Sequence, residues 1–210
     1  MISVMLVDDH TMLREGLRRS FADCDDIQVV GEAGTAAELI RVLPQHRPDV
    51  LILDIKLPDI DGPALIKQVK TASPATRVVI LTMYNHPRYA LQALQNGADG
   101  FVLKGSPFAD LLQAVRTVRR GKTYICPEIA PELIGQFKKP QKSGPLDSLS
   151  SREFEVLTFL GSGMPIKQAA ARLGISEKTV GTYRSRLMTK LQLSSNADLI
   201  RLALESGLIE

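Results

Sequence analysis

Val50-Leu51-Ile52-Leu53-Asp54-Ile55-Lys56-Leu57-Pro58-Asp59-Ile60-Asp61-Gly62 is an apolar run that ends on a carboxylate and opens into a polar loop. Four apolar residues in a row, Val50 to Leu53, suit a parallel strand covered on both faces. Asp54 stands where such a strand ends, and in open parallel sheets ligands bind beyond the carboxyl ends of the strands. One acid there means little, because Asp also simply starts turns. Three other apolar runs end the same way. Ile2 to Val7 runs into Asp8-Asp9-His10, Val78 to Leu81 into Thr82, and Gly100 to Leu103 into Lys104. If the strands are parallel and adjacent, an acid pair, an acid, a hydroxyl and an ammonium converge on one sheet edge.

That set has a chemical use. Three neighbouring carboxylates repel one another, and a hard divalent cation relieves the repulsion. Mg²⁺ takes one or two protein carboxylates and keeps places for water and phosphate oxygens. Asp54 then suits attack on phosphorus as a carboxylate nucleophile, giving an aspartyl phosphate. Lys104 suits neutralising a phosphate oxygen, and Thr82 suits donating a hydrogen bond to another.

Asp8-Asp9, Asp54, Thr82 and Lys104 resemble the active-site positions of a bacterial response-regulator receiver domain. The resemblance implies that Asp54 accepts phosphate from the phosphohistidine of a sensor histidine kinase. It implies that Asp9, Asp54 and the main-chain carbonyl of Lys56 hold Mg²⁺, with Asp8 assisting. Thr82 and Phe101 match the family's switch pair, and Lys56 and Tyr84 match positions that tune water access to the acyl phosphate. No catalysis is implied beyond self-phosphorylation and slow self-hydrolysis.

Composition is that of an ordinary soluble globular protein: of 210 residues, 44% are hydrophobic and 23% charged. No apolar run approaches the roughly 20 residues that span a bilayer, and with no basic n-region or cleavage site before the first strand a signal peptide is not expected. Cys24 and Cys126 lack metal spacing and read as reduced thiols, so a cytoplasmic location is expected. The three histidines, His10, His46 and His86, are scattered and form no ligand cluster. Net charge is only +3, with 14 basic and 14 acidic side chains in residues 1–120 and 8 against 7 in residues 146–210. Any DNA binding must therefore use local positive charge.

Strand and helix patterns alternate five times through residues 1–121. This predicts a doubly wound α/β fold with a flavodoxin-like five-stranded parallel sheet, order 2-1-3-4-5. The helix after Ala36 is expected to end near Pro44, and Ser106-Pro107 to cap the last helix with Pro at its first position. Residues 122–146 read as a linker with a short helix near Pro131 to Phe137. It includes the Lys, Pro, Gly and Ser-rich run Lys138-Lys139-Pro140-Gln141-Lys142-Ser143-Gly144-Pro145.

From residue 147 to residue 210 the pattern is helical only, a small four-helix domain. Ser150 and Glu153 have capping-box spacing ahead of Phe154 and Leu157. A short helix to Leu173, a turn at Gly174 and a helix capped by Ser176 read as helix-turn-helix. Leu149-Ser150-Ser151-Arg152-Glu153, Glu155-Val156-Leu157, Ala169-Ala170, Leu173 through Val180 and Lys190-Leu191 resemble the DNA-binding domain of the LuxR/NarL/FixJ regulators. Tyr124 through Ala130 and Thr182 through Arg186 are most similar to the GacA/UvrY-type members.

On the third helix of this domain, Val180, Arg184, Leu187 and Leu191 share one side. Thr182 and Ser185 on the other side are candidates for base edges. Lys178, Thr179, Arg184, Arg186 and Lys190 are candidates for phosphates. Gly181 departs from the family, which often has a basic residue there. The last helix, through Leu199 and Leu202, is expected to pair two copies on DNA. Together these readings predict a regulator whose phosphorylation gates homodimerisation and binding to double-stranded promoter DNA. RNA polymerase is a further partner the resemblance allows, and a membrane is not. A cofactor-binding α/β enzyme is the rival reading. Against it, no Gly-rich phosphate loop follows the first strand. A helical domain that binds protein is the other alternative, and salt-dependent binding to random duplex DNA separates the two.

Overall fold

Six strands form one parallel sheet in the order β2-β1-β3-β4-β5-β6. They are β1 (Ile2–Val7), β2 (Ile27–Ala33), β3 (Val50–Leu53), β4 (Arg77–Thr82), β5 (Gly100–Leu103) and β6 (Tyr124–Ile125). The computed structural model describes the whole chain except Pro58, Asp61, residues 139–144, Gly207, Ile209 and Glu210. Most of the expected linker run therefore lies outside the described residues. The chain divides into two compact units, Met1–Lys138 and Lys139–Glu210.

In the first unit, helices α1 (Thr11–Ala22), α2 (Ala36–His46), α3 (Gly62–Ala72), α4 (Pro87–Gln95) and α5 (Phe108–Arg119) connect the strands. Every residue of β3 is buried, as its unbroken apolar run demands. The register pairs Val7 with Leu53 and Thr82 with Leu103, so Asp8 and Asp54 leave the sheet side by side.

The expected order 2-1-3-4-5 holds, and four details differ. The sheet has a sixth strand: β6 pairs parallel with β5, Gly100 opposite Tyr124 and Phe101 opposite Ile125. The following helix α6 (Ala130–Lys138) packs on α4, so residues 122–138 belong to the first unit. Two residues of strand carry too little pattern to announce a pairing. Helix α2 runs past Pro44 to His46 and stops at Arg47, whose φ of 40° is left-handed. Near a C-terminus a proline forfeits one hydrogen bond without ending the turn. At α5 the N-cap position falls on Pro107 rather than Ser106, and it makes no side-chain cap bond.

The second unit holds α7 (Ser151–Gly161), α8 (Ile166–Leu173), α9 (Glu177–Leu191) and α10 (Asn196–Glu205). The Ser150–Glu153 capping box opens α7 with both reciprocal bonds. Gly174 turns the chain between α8 and α9 at φ 65°, a left-handed conformation that favours glycine. Ser176 accepts the Thr179 amide to start α9, and a second capping box, Ser195 with Asp198, starts α10. Helix α7 packs on α9 and α10 around Phe154, Leu157, Val180, Leu187, Leu199 and Ala203, all buried.

Candidate functional site

The strand order turns four separate chain segments into one cluster. β1, β3, β4 and β5 lie side by side, so the residues after their last rungs share an edge. The Asp54 amide donates to the Val7 carbonyl (2.8 Å), and the Lys104 amide donates to the Thr82 carbonyl (2.7 Å). These bonds carry the sheet one residue into each loop and fix where the side chains start. Lys104 then reaches back across β4. Its Nζ lies 2.6 Å from Asp54 Oδ2 and 2.7 Å from Asp8 Oδ2. Asp54 Oδ1 accepts the Lys56 amide at 3.0 Å.

Asp8 and Asp54 are each 4% exposed, and Thr82 is fully buried. Burial raises the Asp54 carboxyl above its ordinary value, against the opposing pull of the Lys104 charge. Burial also opposes the charge on Lys104, but Asp54 and Asp8 outweigh it and the ammonium is held above its ordinary value. Two buried carboxylates thus share one cation. The donor chemistry fits a divalent ion: single ligand atoms from Asp8, Asp9, His10 and Asp54 all lie within 4.8 Å of one another. Oxygen donors dominate the set, as a hard cation requires.

His10 is the residue that sequence reading missed. Far from being scattered with His46 and His86, it stands in the acidic cluster, its Nδ1 2.9 Å from Asp8 Oδ1 and 2.8 Å from Asp9 Oδ1. Its place directly after Asp8-Asp9 was the available signal. Asp59 is a second addition. Its carboxylate accepts the Ala36 and Ala37 amides at the start of α2, tying the loop after Asp54 to that helix. Burial, the largest single influence, pushes the Asp59 carboxyl up, but the Ala36, Ala37 and Asp59 amides together outweigh it and hold the group below the usual carboxylate range.

Phe101 is fully buried on β5 opposite Ile80, on the sheet face that also carries Thr82. The Tyr84 amide donates to Thr82 Oγ1 at 3.3 Å. The Tyr84 ring stacks on Tyr89 of α4, with centroids 4.6 Å apart.

In the second unit, α9 separates its residues as the 100° reading implies. Val180, Leu187 and Leu191 are buried, while Lys178, Thr182, Ser185 and Arg186 are exposed and Thr179 is half-buried. Thr182, Ser185 and Thr189 each donate their hydroxyl to the carbonyl four residues back. Three of the candidate phosphate contacts are engaged within the unit, Thr179 through its Oγ1 at 2.8 Å from Ser176 Oγ. Arg184 donates twice to Asn196 Oδ1, at 3.0 and 2.8 Å. Lys190 Nζ lies 2.6 Å from Glu153 and donates to the Ser148 carbonyl. The expected pairing contact at Leu199 needs correction: Leu199 is 1% exposed and belongs to the unit's own core. Leu202 is half-buried, and the exposed large apolar side chains of α10 are Ile200 and Leu204.

Comparison with known proteins agrees with both halves. The response regulator receiver domain matches residues 4–116, and the LuxR family of bacterial regulatory proteins matches residues 147–203. The chain belongs to the two-component response regulators that join a receiver to a LuxR-type helix-turn-helix domain. It is 36% identical to the response regulator GacA of Pseudomonas syringae pv. syringae, across all of this chain and 99% of that one. It is 35% identical to the oxygen regulatory protein NreC of Staphylococcus carnosus, across the full length of both. Among solved structures, a two-component response regulator RcsB–DNA complex superposes with a TM-score of 0.60 at 29% identity. That match covers 95% of this chain and 96% of that one. Among the described residues, no helix is long and apolar enough to cross a membrane.

Proposed function

We propose that Asp54 accepts a phosphoryl group from a sensor histidine kinase in the cytoplasm, and that this gates pairing of the chain and its binding to specific promoter DNA. The observation that carries the reading is the Asp8–Lys104–Asp54 arrangement at the carboxyl edge of the sheet. Lys104 already stands against Asp54 Oδ2, and its charge offsets the negative charge that phosphorylation adds. Thr82, one strand over, donates its hydroxyl to another phosphoryl oxygen. Mg²⁺ would supply positive charge against the phosphoryl oxygens, held by Asp9, Asp54 and the Lys56 main-chain carbonyl with Asp8 assisting.

Thr82 and Phe101 share a sheet face beside α4, so drawing Thr82 toward the phosphate frees space that the Phe101 ring takes. This biases two packings of the α4 side rather than creating a new one. In the second unit, Thr182 and Ser185 face base edges and Lys178, Thr179 and Arg186 position the phosphates. Because the hydroxyl hydrogens are used within α9, Thr182 and Ser185 offer lone pairs, which suit the amino groups of adenine and cytosine. Arg184 and Lys190 support α9 from within the unit and contribute charge rather than direct contacts. Ile200 and Leu204 form the pairing surface of α10.

Acetyl phosphate with Mg²⁺ tests the first step, read by intact mass. One phosphoryl group is expected on the wild type and none on Asp54→Ala. Chromatin capture from cells carrying each form tests the second, with discrete sites expected for the wild type and their loss for Asp54→Ala. An unmodified wild type, or identical capture from both forms, refutes the proposal.

A further inference from the structure

His10 holds the N-cap position of α1 with φ −89° and ψ 99°, yet its side chain makes no bond to the helix it opens. A capping side chain normally turns toward the free amides of the first turn. This ring turns the other way, over the acids. One nitrogen, Nδ1, faces both Asp8 Oδ1 and Asp9 Oδ1, at 2.9 and 2.8 Å. The His10 amide also donates to Asp8 Oδ1 at 2.9 Å, which pins the loop in this shape.

We propose that His10 Nδ1 is a further ligand of the cation site, and that the site therefore prefers borderline first-row transition ions to Mg²⁺. The inference rests on the reading of the acidic cluster as a cation site and adds a nitrogen to its oxygens.

The geometry permits it. Octahedral ligands around a divalent ion at about 2.1 Å stand roughly 3 to 4 Å from one another. One ligand atom from each of the four residues lies within 4.8 Å of the others, close enough for small side-chain rotations to bring them to that spacing. Asp8 has both oxygens held, one by His10 and the other by Lys104, and Asp54 likewise by the Lys56 amide and Lys104, so each would bind an ion through a remaining lone pair. Asp9 and Asp54 supply carboxylate oxygens, and the ring supplies the nitrogen when its hydrogen sits on Nε2. The ring is 67% exposed, so solvent can satisfy that Nε2–H.

Ligand type then sets the selectivity. Mg²⁺ gains little from imidazole, whereas affinity for mixed nitrogen and oxygen sites climbs from Mn²⁺ through Co²⁺ and Ni²⁺. The competing description is a ring that merely hydrogen-bonds the two acids and plays no part in ion choice.

The test uses the full-length chain without a histidine tag. Calorimetric titration with Mg²⁺, Mn²⁺ and Co²⁺ compares wild type, His10→Ala and His10→Gln. Pulsed electron paramagnetic resonance on the Mn²⁺-loaded, ¹⁵N-histidine-labelled chain looks for nitrogen coupling. Tighter binding of Co²⁺ than Mg²⁺ is expected in the wild type. In both variants Co²⁺ affinity drops by about tenfold or more, the scale seen even for partners one shell further out. Mg²⁺ affinity stays nearly the same, and the nitrogen coupling disappears. Since the ring is exposed, both variants should retain the fold, which circular dichroism checks. The inference is overturned if Mg²⁺ binds, the Co²⁺ to Mg²⁺ affinity ratio is equal in all three proteins, and no nitrogen coupling is seen. In that event the cation site itself stands. If the wild type binds none of the three ions, the cation-site reading falls as well.

Discussion

Replacing Gly161 by alanine forces a carbon into the seam between α7 and α10. A Cβ built on Gly161 falls 2.6 Å from the Ala203 Cβ and 3.8 Å from Leu199 Cδ2. Carbon atoms in contact prefer about 3.5 to 4.0 Å, so the first contact is short by roughly 1 Å. Neither Cβ can rotate out of the way, because each is bonded directly to a helix backbone. The helices must part, and overpacking of that kind costs about 1–3 kcal/mol. Alanine recovers up to about 1 kcal/mol of helix propensity over glycine, and less at Gly161, which is the last residue of α7. The balance is a loss of about 1–2 kcal/mol. For a unit of this size that lowers the melting midpoint by about 4–8 °C per kcal/mol. Scanning calorimetry of the full chain measures it, and hydrogen exchange over α7 and α10 locates it. Adding Ala203→Gly should restore part of the stability that Gly161→Ala removes, despite glycine's own propensity cost. If Gly161→Ala is as stable as the wild type, or the two substitutions simply add, the close approach of α7 and α10 is not what holds this seam.

Three further expectations follow from single sites. Asp54 titrates above its ordinary 3.8 because it is buried. The native state therefore keeps a proton that the unfolded chain has lost, and stability falls as pH rises through that interval. Asp54→Asn removes this fall and is more stable than wild type at neutral pH without added divalent ion, as urea unfolding across a pH series would show. Glu153 behaves oppositely. Burial opposes its charge, but Lys190 and Ser150 outweigh burial and lower it below 4.5. Its contribution is present above the unfolded value and is lost as pH falls through the folded one. Glu153→Gln should cost about 1 kcal/mol at neutral pH, discounted for the exposure of Lys190, and should flatten the acid limb of the unfolding curve. A Cβ at Gly181 meets nothing within 4 Å. Gly181→Ala should therefore gain about 1 kcal/mol in the melt of the second unit. Gly181→Lys should steepen the salt dependence of duplex binding by about one counterion, and an unchanged slope would take this face of α9 off the DNA.

Much of the site was legible because each polar group closes its own apolar run. Asp54 after Val50–Leu53, Thr82 after Arg77–Thr82's apolar stretch and Lys104 after Gly100–Leu103 could be lined up before any contact was known. The helix-turn-helix was legible for a similar reason: Ser150, Gly174 and Ser176 act within a turn of where they stand. Apart from His10, whose acidic partners stand directly before it in the chain, what escaped depended on distant neighbours. The strand β6 has only two residues and exists through its pairing with β5. Leu199 and Ile200 are adjacent and equally apolar, yet Leu199 is buried and Ile200 exposed, because α7 covers one side of α10 among the described residues.

The sequence by itself determined the alternation of the first five strands with their helices, the capped starts of α7 and α9 and the identity of the groups on the sheet edge. All of these follow from propensity and periodicity within a few residues. Tertiary structure decided which of those groups meet. It set Lys104 between Asp8 and Asp54, turned His10 onto the acids rather than onto its own helix, and diverted Lys190 to Glu153. A long or rotatable charged side chain has several partners within reach. Only the assembled field of the folded chain, with the solvent removed from part of it, selects among them.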